Sequence, residues 1–306
     1  MSGAHTEPPM DPTPILVCGL LSVDMVFQVP AIPTEPIKHR ASDVSMICGG
    51  GGCYASLAIN RLGGQAHLFS RLGNDEFGQY VLAALNKNGI DGTNIRVSDS
   101  YRTPVSSIAV DPQGERQIVN FRQHCDSLET KPLQFDSPVQ GVLVDTRWSA
   151  GSIHALNIAK AQQLPGVVDA EAPVCLETMR SATHIAFSKQ GLTDYAPNTP
   201  VLDALRRAAT AFSAWVCVTD GENGTHVLCN HTLQTIPAPK VKVVDTLGAG
   251  DVWHGAFTTE LARGTDEINA VAFANVAAAL KCTGTDGGYA APHRREVTEL
   301  LQSFST

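Results

Sequence analysis

Short apolar runs that read as β-strands alternate with amphipathic helical patterns along most of the chain. The helical stretches carry apolar residues three, four and seven positions apart, as at Ala55, Ala58, Ile59 and Leu62. Alternation of this kind is typical of a mostly parallel, doubly wound sheet with helices on both faces. We therefore predict an α/β fold with strands at residues 15–19, 66–70, 141–145, 166–169, 184–187 and 214–219.

Two segments interrupt this alternation and predict a second, smaller β element. Residues 26–47 are rich in proline and polar at their middle. Residues 105–122 alternate apolar and polar side chains around the turn sequence Asp111-Pro-Gln-Gly114. We expect both to form antiparallel strands outside the main sheet. The polar residues 1–13 predict a disordered tail, so that one domain spans residues 14–306.

Charge and cysteine usage argue against several classes of function. The 306 residues carry a formal net charge of −8, whereas a nucleic-acid binder needs a basic face. The longest apolar stretches, such as residues 15–21, fall well short of the ~20 residues that span a bilayer, and the N-terminus does not read as a signal peptide. The eight cysteines include no Cys-x-x-Cys pair, which favours reduced thiols. We expect a cytoplasmic protein with neither nucleic acid nor membrane as a partner.

A run of four glycines, Gly49 to Gly52, comes just before the helical pattern that begins at Tyr54. Glycines at the start of a helix leave backbone N–H groups uncovered and let a ligand approach the main chain closely. The alternative interpretation is a flexible loop that binds nothing. The glycine run alone does not decide between the two.

A second glycine-rich motif, Gly248-Ala-Gly-Asp251, joins a predicted strand to a well-patterned helix. Uncovered N–H groups at a helix start form an anion site, to which the helix dipole adds. Taken alone, Asp251 reads as a helix N-cap. Beside a Gly-Ala-Gly turn, however, a carboxylate can take the proton from a hydroxyl that attacks a phosphoryl group.

Together with their surroundings, these motifs resemble the signatures of the ribokinase-like (PfkB) carbohydrate kinases. The stretch Asp245-Thr-Leu-Gly-Ala-Gly-Asp251 resembles the C-terminal signature of that family. The N-terminal signature is similar to residues 49–63 followed by 73–78. Further similar stretches are the opening strand that ends in a sugar-binding aspartate at 20–24, the T-x-G-x-x-G turn at 219–224 and the purine-side helix at 273–275. The matches run in order from about residue 15 to the end of the chain.

The resemblance implies an ATP-dependent kinase that phosphorylates a hydroxyl of a small carbohydrate. It implies a ribokinase-like α/β domain whose small β lid is formed by about 26–47 and 105–123. It makes Asp251 the catalytic base, and it forms the anion hole for the γ-phosphate from Gly248, Ala249 and Gly250.

The same resemblance implies the ligand contacts. The sugar would contact Asp24, Gly49, Gly50 and Gly51. ATP would contact Ser188, Thr219, Gly221, Gly224 and Asn275. Mg²⁺ would accompany ATP, and Asp245 falls where related kinases hold a monovalent cation such as K⁺. The lid strands of related kinases often pair between subunits, which implies a homodimer.

Two features depart from the family pattern. Gly51 and Tyr54 stand where the first signature usually has a lysine or small residue and an asparagine. The motif that the family uses for magnesium would fall near residues 187–191 and is not recognisable there. Contacts of the ribose type are therefore not implied at Gly51 and Tyr54.

Three stretches are similar to the sulfofructose-kinase-like branch of the family: the start of the glycine run, residues 114–122 and residues 145–148. Arginine is suited to bind an anionic group because its planar fork presents several N–H donors. We expect Lys38, Asn120 and Arg147 to bind an anionic tail such as a sulfonate, while Asp24 binds sugar hydroxyls. The alternative is that both cations are solvated and that the substrate is a neutral sugar or a nucleoside.

Two further functions remain open from the residues alone. A catalytically idle binder of sugar or nucleotide could use the same scaffold, although the intact Gly-Ala-Gly-Asp motif argues against it. A nicotinamide-dependent oxidoreductase is disfavoured, since the first strand is not followed by the G-x-G-x-x-G pattern. None of the ten histidines has metal-site spacing with a carboxylate partner, and His254 either lines the pocket or packs in the core.

Overall fold

The computed structural model describes residues 12–124 and 131–304, so residues 1–11 of the predicted tail lie outside the described part. The strands in the described part are β1 (Thr13–Cys18), β2 (Ser22–Gln28), β3 (Asp43–Gly49), β4 (Gly64–Gly73), β5 (Ile95–Ser98), β6 (Val105–Val110), β7 (Arg116–Phe121), β8 (Gly141–Val144), β9 (Gly166–Ala170), β10 (His184–Ser188), β11 (Trp215–Thr219), β12 (Thr225–Cys229) and β13 (Thr232–Ile236). They form a nine-stranded main sheet and a separate four-stranded sheet.

The main sheet has the strand order β13-β12-β11-β10-β9-β8-β1-β4-β5. Strands β12 and β13 are antiparallel at one edge, and the other seven strands run parallel. A parallel sheet brings the carboxyl ends of its strands to one edge, where α/β proteins bind their ligands.

Helices cover both faces of this sheet. They are α1 (Gly51–Arg61), α2 (Glu76–Lys87), α3 (Ser149–Gln162), α4 (Leu176–Met179), α5 (Lys189–Tyr195), α6 (Val201–Phe212), α7 (Ala249–Ala262), α8 (Glu267–Lys281) and α9 (Arg294–Phe304). Successive residues of strand β1 enter different cores: Ile15 and Val17 pack with α1, α7 and α8, whereas Leu16 and Cys18 pack with α3 and α6. This two-sided burial explains why the strands read as continuous apolar runs.

The four-stranded sheet, called the lid sheet below, has the order β3-β2-β6-β7. Strands β2 and β6 run parallel, and the two outer pairs are antiparallel. The expected lid is therefore confirmed, but its sheet is mixed rather than antiparallel throughout. Several of its apolar side chains are exposed, among them Val44, Met46, Ile118 and Val119.

The six predicted strands of the main sheet and the helical patterns between them are confirmed. Three local expectations need correction. The first lid strand begins at Ser22 rather than near residue 26. Asp24 therefore lies within this lid strand and not at the end of the opening strand, which stops at Cys18. No strand is found at residues 237–247 before helix α7, although the sequence predicted one there.

Close backbone packing joins the start of helix α1 to the end of strand β1. The Gly52 amide donates to the Leu20 carbonyl (2.9 Å), and a Cβ at Gly19 would lie 2.8 Å from the Gly52 Cα. Only glycine permits this approach. Helix α1 therefore begins directly beside the carboxyl end of the sheet. Within the described ranges, no helix is long and apolar enough to cross a bilayer.

Candidate active site

The run Gly49 to Gly51 passes between two aspartates that are distant in sequence. A Cβ at Gly49 would lie 2.0 Å from the Asp24 Oδ2, and a Cβ at Gly51 would lie 2.8 Å from the Asp251 Oδ1. Any side chain at these two positions would collide with a carboxylate. The glycine run therefore lies against both the sugar-binding candidate and the candidate base.

Asp24 is buried in the lid sheet, with its carboxylate against Gly49. Its carboxylate accepts hydrogen bonds from the hydroxyls of Ser22 (3.0 Å) and Ser106, while burial raises its pKa. In the lid sheet Asp24 is paired with Ser106, and Ser106 with Asn120. Directly paired residues share a face of the sheet, so Asn120 lies on the same face as Asp24.

Two further acids lie at the carboxyl ends of neighbouring strands. Asp145 follows strand β8 and accepts from the amides of Leu20 (2.6 Å) and Arg147 (2.8 Å). Asp169 lies near the end of strand β9. Both line the same cavity as Asp251.

His254, one turn beyond Asp251 on helix α7, contacts the backbone of Gly250 and the carboxyl of Asp169. Its Nδ1 donates to the Gly250 carbonyl (2.7 Å), and its Nε2 lies 3.5 Å from the Asp169 Oδ1. Burial lowers the pKa of His254. Burial, and then the charges of Glu171 and Asp145, raise the pKa of Asp169 to about 8. Burial therefore disfavours the charged form of both groups.

Asp251 shares this environment. Burial, followed by the charge of Asp169, raises its pKa to about 7. A carboxyl group with a pKa near the working pH suits a general base, since it is partly ionised and still binds a proton well. The arrangement fits proton abstraction better than helix capping alone.

The start of helix α7 lies beside Asp251 and has room for a ligand. Gly248 precedes the helix with φ 77°, a left-handed conformation that favours glycine. The Ala249 amide already donates to the Thr246 carbonyl (3.2 Å). A Cβ at Gly250 would have no atom within 4 Å, so the space above this residue is open to a ligand.

A second cavity, of about 480 Å³, lies at the ends of strands β10 and β11 and includes Ser188, Thr219 and Gly221. Its size is in the range of cavities that bind small-molecule ligands. The Ser188 hydroxyl caps helix α5 by accepting from the Gly191 amide (2.9 Å). Lys189 also lines the cavity and forms an ion pair with Asp220 (2.6 Å).

Gly224 and Asn275, the other two candidate ATP contacts, have internal roles in this structure. Gly224 has φ 86° and packs so tightly that a Cβ would lie 2.1 Å from the Ile236 carbonyl oxygen. Asn275 is buried and accepts from Thr225 and Trp253 while it donates to the carbonyls of Ile236 and Pro237. Both residues therefore have structural roles here, and neither lines the second cavity.

The candidate anion-binding residues do not all lie together. Lys38 is exposed on the loop between β2 and β3. The Arg147 guanidinium lies at the carboxyl edge of the main sheet, donates to the Ala172 carbonyl (3.0 Å) and pairs with Glu171. The guanidinium of Arg122, just after lid strand β7, interacts electrostatically with Arg147 and Asp145.

Sequence reasoning missed several residues of the site. Arg122, Asp169 and Lys189 were not singled out, although each lies at or just past the end of a strand or at the start of a helix. Tyr54 was noted only as a departure. Its ring packs against Gly288, where a Cβ would lie 2.3 Å away, and against Gly248, the residue before helix α7, where a Cβ would lie 3.0 Å away.

Comparison with known protein families gives a match over most of the chain. The profile of the pfkB family of carbohydrate kinases matches residues 13–294. A ribokinase from Bacillus subtilis (strain 168) is 27% identical over 296 residues, which cover 94% of this chain and 99% of the relative.

Solved structures agree with this match. A candidate ribokinase from Agrobacterium tumefaciens has a TM-score of 0.87 and 31% identity, over 96% of this chain and 99% of that one. An Arabidopsis thaliana ribokinase, solved with ribose and ATP, has a TM-score of 0.80 at 19% identity, over 95% and 99% of the two chains. At that identity the second comparison supports the fold alone.

The raised pKa of Asp169 predicts how the stability of the protein depends on pH. Its pKa is raised on folding, so the folded state binds more protons than the unfolded state between about pH 4 and pH 8. The free energy of unfolding should therefore fall as the pH rises through that window. Asparagine does not titrate, so Asp169→Asn should not show this decrease. From pH 5 to pH 8.5 the variant should therefore gain stability relative to the wild type, as measured by urea unfolding.

The matched control is Asp203→Asn, which changes an exposed aspartate on helix α6. It should leave the pH dependence as it is in the wild type. An Asp169→Asn variant that is equally destabilised at both pH values would contradict the assignment of a protonated carboxyl.

Proposed function

The chain belongs to the pfkB family of carbohydrate kinases, and on that premise we propose that it transfers the γ-phosphate of ATP to a hydroxyl of a small sugar. One observation carries the proposal. Asp24 and Asp251 both face the side-chain-free run Gly49 to Gly51, beside the open start of helix α7. A sugar bound there would lie between a hydroxyl acceptor, a base and an anion site.

In this mechanism Asp24 orients the sugar by accepting hydrogen bonds from its hydroxyls. Asp251 then takes the proton of the attacking hydroxyl while the γ-phosphate is transferred. The Gly250 amide and the dipole of helix α7 stabilise the charge on the transferring group.

ATP would occupy the second cavity, with Thr219 and Gly221 on one side and Lys189 near the phosphates. Mg²⁺ binds ATP phosphates and keeps several waters, so it needs only one or two protein carboxylates. Glu171, just past the end of strand β9, lines this cavity and fits that requirement. When bound, Mg²⁺ would neutralise charge on the phosphates.

The lid sheet would cover the sugar and exclude water that could otherwise hydrolyse ATP. Its exposed apolar residues, such as Val44 and Val119, support pairing of the lid with a second copy of the chain. We place the enzyme in the cytoplasm, which agrees with the free thiols of its described cysteines.

Removal of the base tests the proposal. Asp251→Asn should fold and bind ATP but lose phosphoryl transfer by roughly 10²–10⁴-fold, the usual range for loss of a general base. Turnover is measured as ADP release, and nucleotide binding by calorimetry. Turnover within about tenfold of the wild type would exclude Asp251 as the base. A wild-type chain that binds sugar and ATP without turnover would instead be an idle binder.

Gly250→Val tests the anion site. Because no protein atom lies near its Cβ position, the variant should fold with an unchanged unfolding midpoint. The added side chain would occupy the space proposed for the phosphate, so turnover should fall by about 10²-fold or more. An active Gly250→Val enzyme would mean that the phosphate binds elsewhere.

For the substrate, we propose a ketohexose that bears a sulfonate or another anion at the end remote from the phosphorylated hydroxyl. Arg122 and Arg147 supply two guanidiniums that interact electrostatically with each other and with Asp145. Asn120 lies on the lid face that also carries Asp24. Two arginines and an amide offer the N–H donors that a sulfonate such as that of sulfofructose requires.

A neutral sugar is the second candidate, and one contact favours it. Glu171 already pairs with Arg147, so part of the positive charge at this edge is neutralised within the protein. An ADP-release assay with sulfofructose, fructose, ribose and inosine separates the candidate substrates, namely an anionic sugar, a neutral sugar and a nucleoside.

Arg147→Ala should raise the KM for sulfofructose by about tenfold or more, as expected for loss of a charge-assisted hydrogen bond. The rate with fructose should change little. Arg122→Ala should act in the same direction. Arg102→Ala, which removes an exposed lid arginine that stacks on Phe121, is the matched control and should affect neither sugar. Equal effects of Arg147→Ala on both sugars would exclude an anionic substrate.

A further inference from the structure

Lys281 is a buried cation that the proposed mechanism does not use. It is the last residue of helix α8, and its side chain is 0% exposed. Its Nζ donates to the main-chain oxygen of Asp245 (2.7 Å) and lies 3.5 Å from the Asp245 Oδ2. A buried ammonium group persists only when it has partners of this kind.

The same aspartate meets further donors of this chain. The Asp245 Oδ1 accepts from the Leu247 amide (2.9 Å) and pairs with the guanidinium of Arg116. The Oδ2 accepts from the Gly287 amide (2.9 Å). All three oxygens of Asp245 therefore have donors, and two fixed cations face its carboxylate.

These contacts do not fit the K⁺ ion that the family resemblance led us to expect at Asp245. A monovalent cation needs several oxygens with free lone pairs, and nearby fixed cations repel it. At Asp245 the oxygens are engaged, and the Lys281 ammonium lies at ligand distance from the carbonyl.

The Lys281 ammonium also connects helix α8 to the loop before helix α7. Asp245 begins the loop that leads through Leu247 to Gly248, the residue before helix α7. The Gly287 amide binds the same carboxylate, and the neighbouring Gly288 packs against Gly248, where a Cβ would lie 2.9 Å from the Gly288 nitrogen. Lys281 thus ties the end of helix α8 to the loop that forms the anion site.

We propose that the Lys281 ammonium replaces the monovalent cation as a built-in positioning group, so that this enzyme does not depend on K⁺. The activity part of this inference rests on the proposed kinase function. The part that concerns cation binding does not, because ion binding to the folded state also changes thermal stability.

The wild-type chain is compared in potassium chloride and in tetramethylammonium chloride at equal ionic strength. We expect the unfolding midpoint to agree within about 1 °C and turnover to agree within about twofold. Saturable activation of the wild type by K⁺ of about fivefold or more, or a saturable rise of its midpoint, would overturn the proposal. If no sugar supports turnover, the kinase proposal fails and the midpoint alone decides on the cation.

Lys281→Ser opens the space that the ammonium occupies. We expect turnover in tetramethylammonium to fall by about tenfold or more, and K⁺ to restore it in part and to raise the unfolding midpoint. Loss of activity without any K⁺ effect in either measurement would overturn the proposal. Lys87→Ser is the matched control, since Lys87 is an exposed lysine at the end of helix α2 and should show no K⁺ effect. If Lys281→Ser does not fold, the wild-type comparison decides.

Discussion

Carboxylates can surround one small volume only if the backbone that passes between them carries no side chains. In this protein that backbone is the run Gly49 to Gly52, which touches the Asp24 carboxylate, the Asp251 carboxylate and the end of strand β1. A single methyl group at Gly49 would collide with Asp24, and one at Gly52 would collide with Gly19. The position of the lid sheet, the start of helix α1 and the shape of the pocket all depend on this contact.

Crowded acids must share protons, and the structure separates their roles by environment. Asp169 and Asp251 both have raised pKa values, about 8 and about 7, because both are buried near other acids. Burial beside the other acids therefore disfavours ionisation of both carboxyls. Asp245, in contrast, has a lowered pKa: burial opposes this, but the amides of Leu247 and Gly287 and the cations Lys281 and Arg116 outweigh it. One acid is thus prepared to accept a proton, and another is fixed as a structural anion.

The sequence alone was informative where the relevant physics is local. Apolar periodicity predicted the parallel strands, and the glycine motifs predicted the helix starts that follow them at Gly51 and Ala249. Pairings between distant segments were not predictable in this way. Nothing local indicates that lid strands β2 and β6 run parallel, or that Lys281 reaches Asp245 from a different helix. The burial of Asp169 depends likewise on helix α7, which follows it by some eighty residues.

Arg116 belongs to the lid sheet, yet its partner Asp245 belongs to the loop before helix α7. The ion pair therefore couples the position of the lid sheet to the position of this loop. If this ion pair forms only when the lid lies over the pocket, then sugar binding that brings the lid there also favours this position of the loop, and the coupling is reciprocal. A sugar that draws the lid down would thus prepare the phosphate end before transfer, and a nucleotide that orders the loop would strengthen the hold on the sugar. Communication between the two substrates would need no element beyond this one salt bridge.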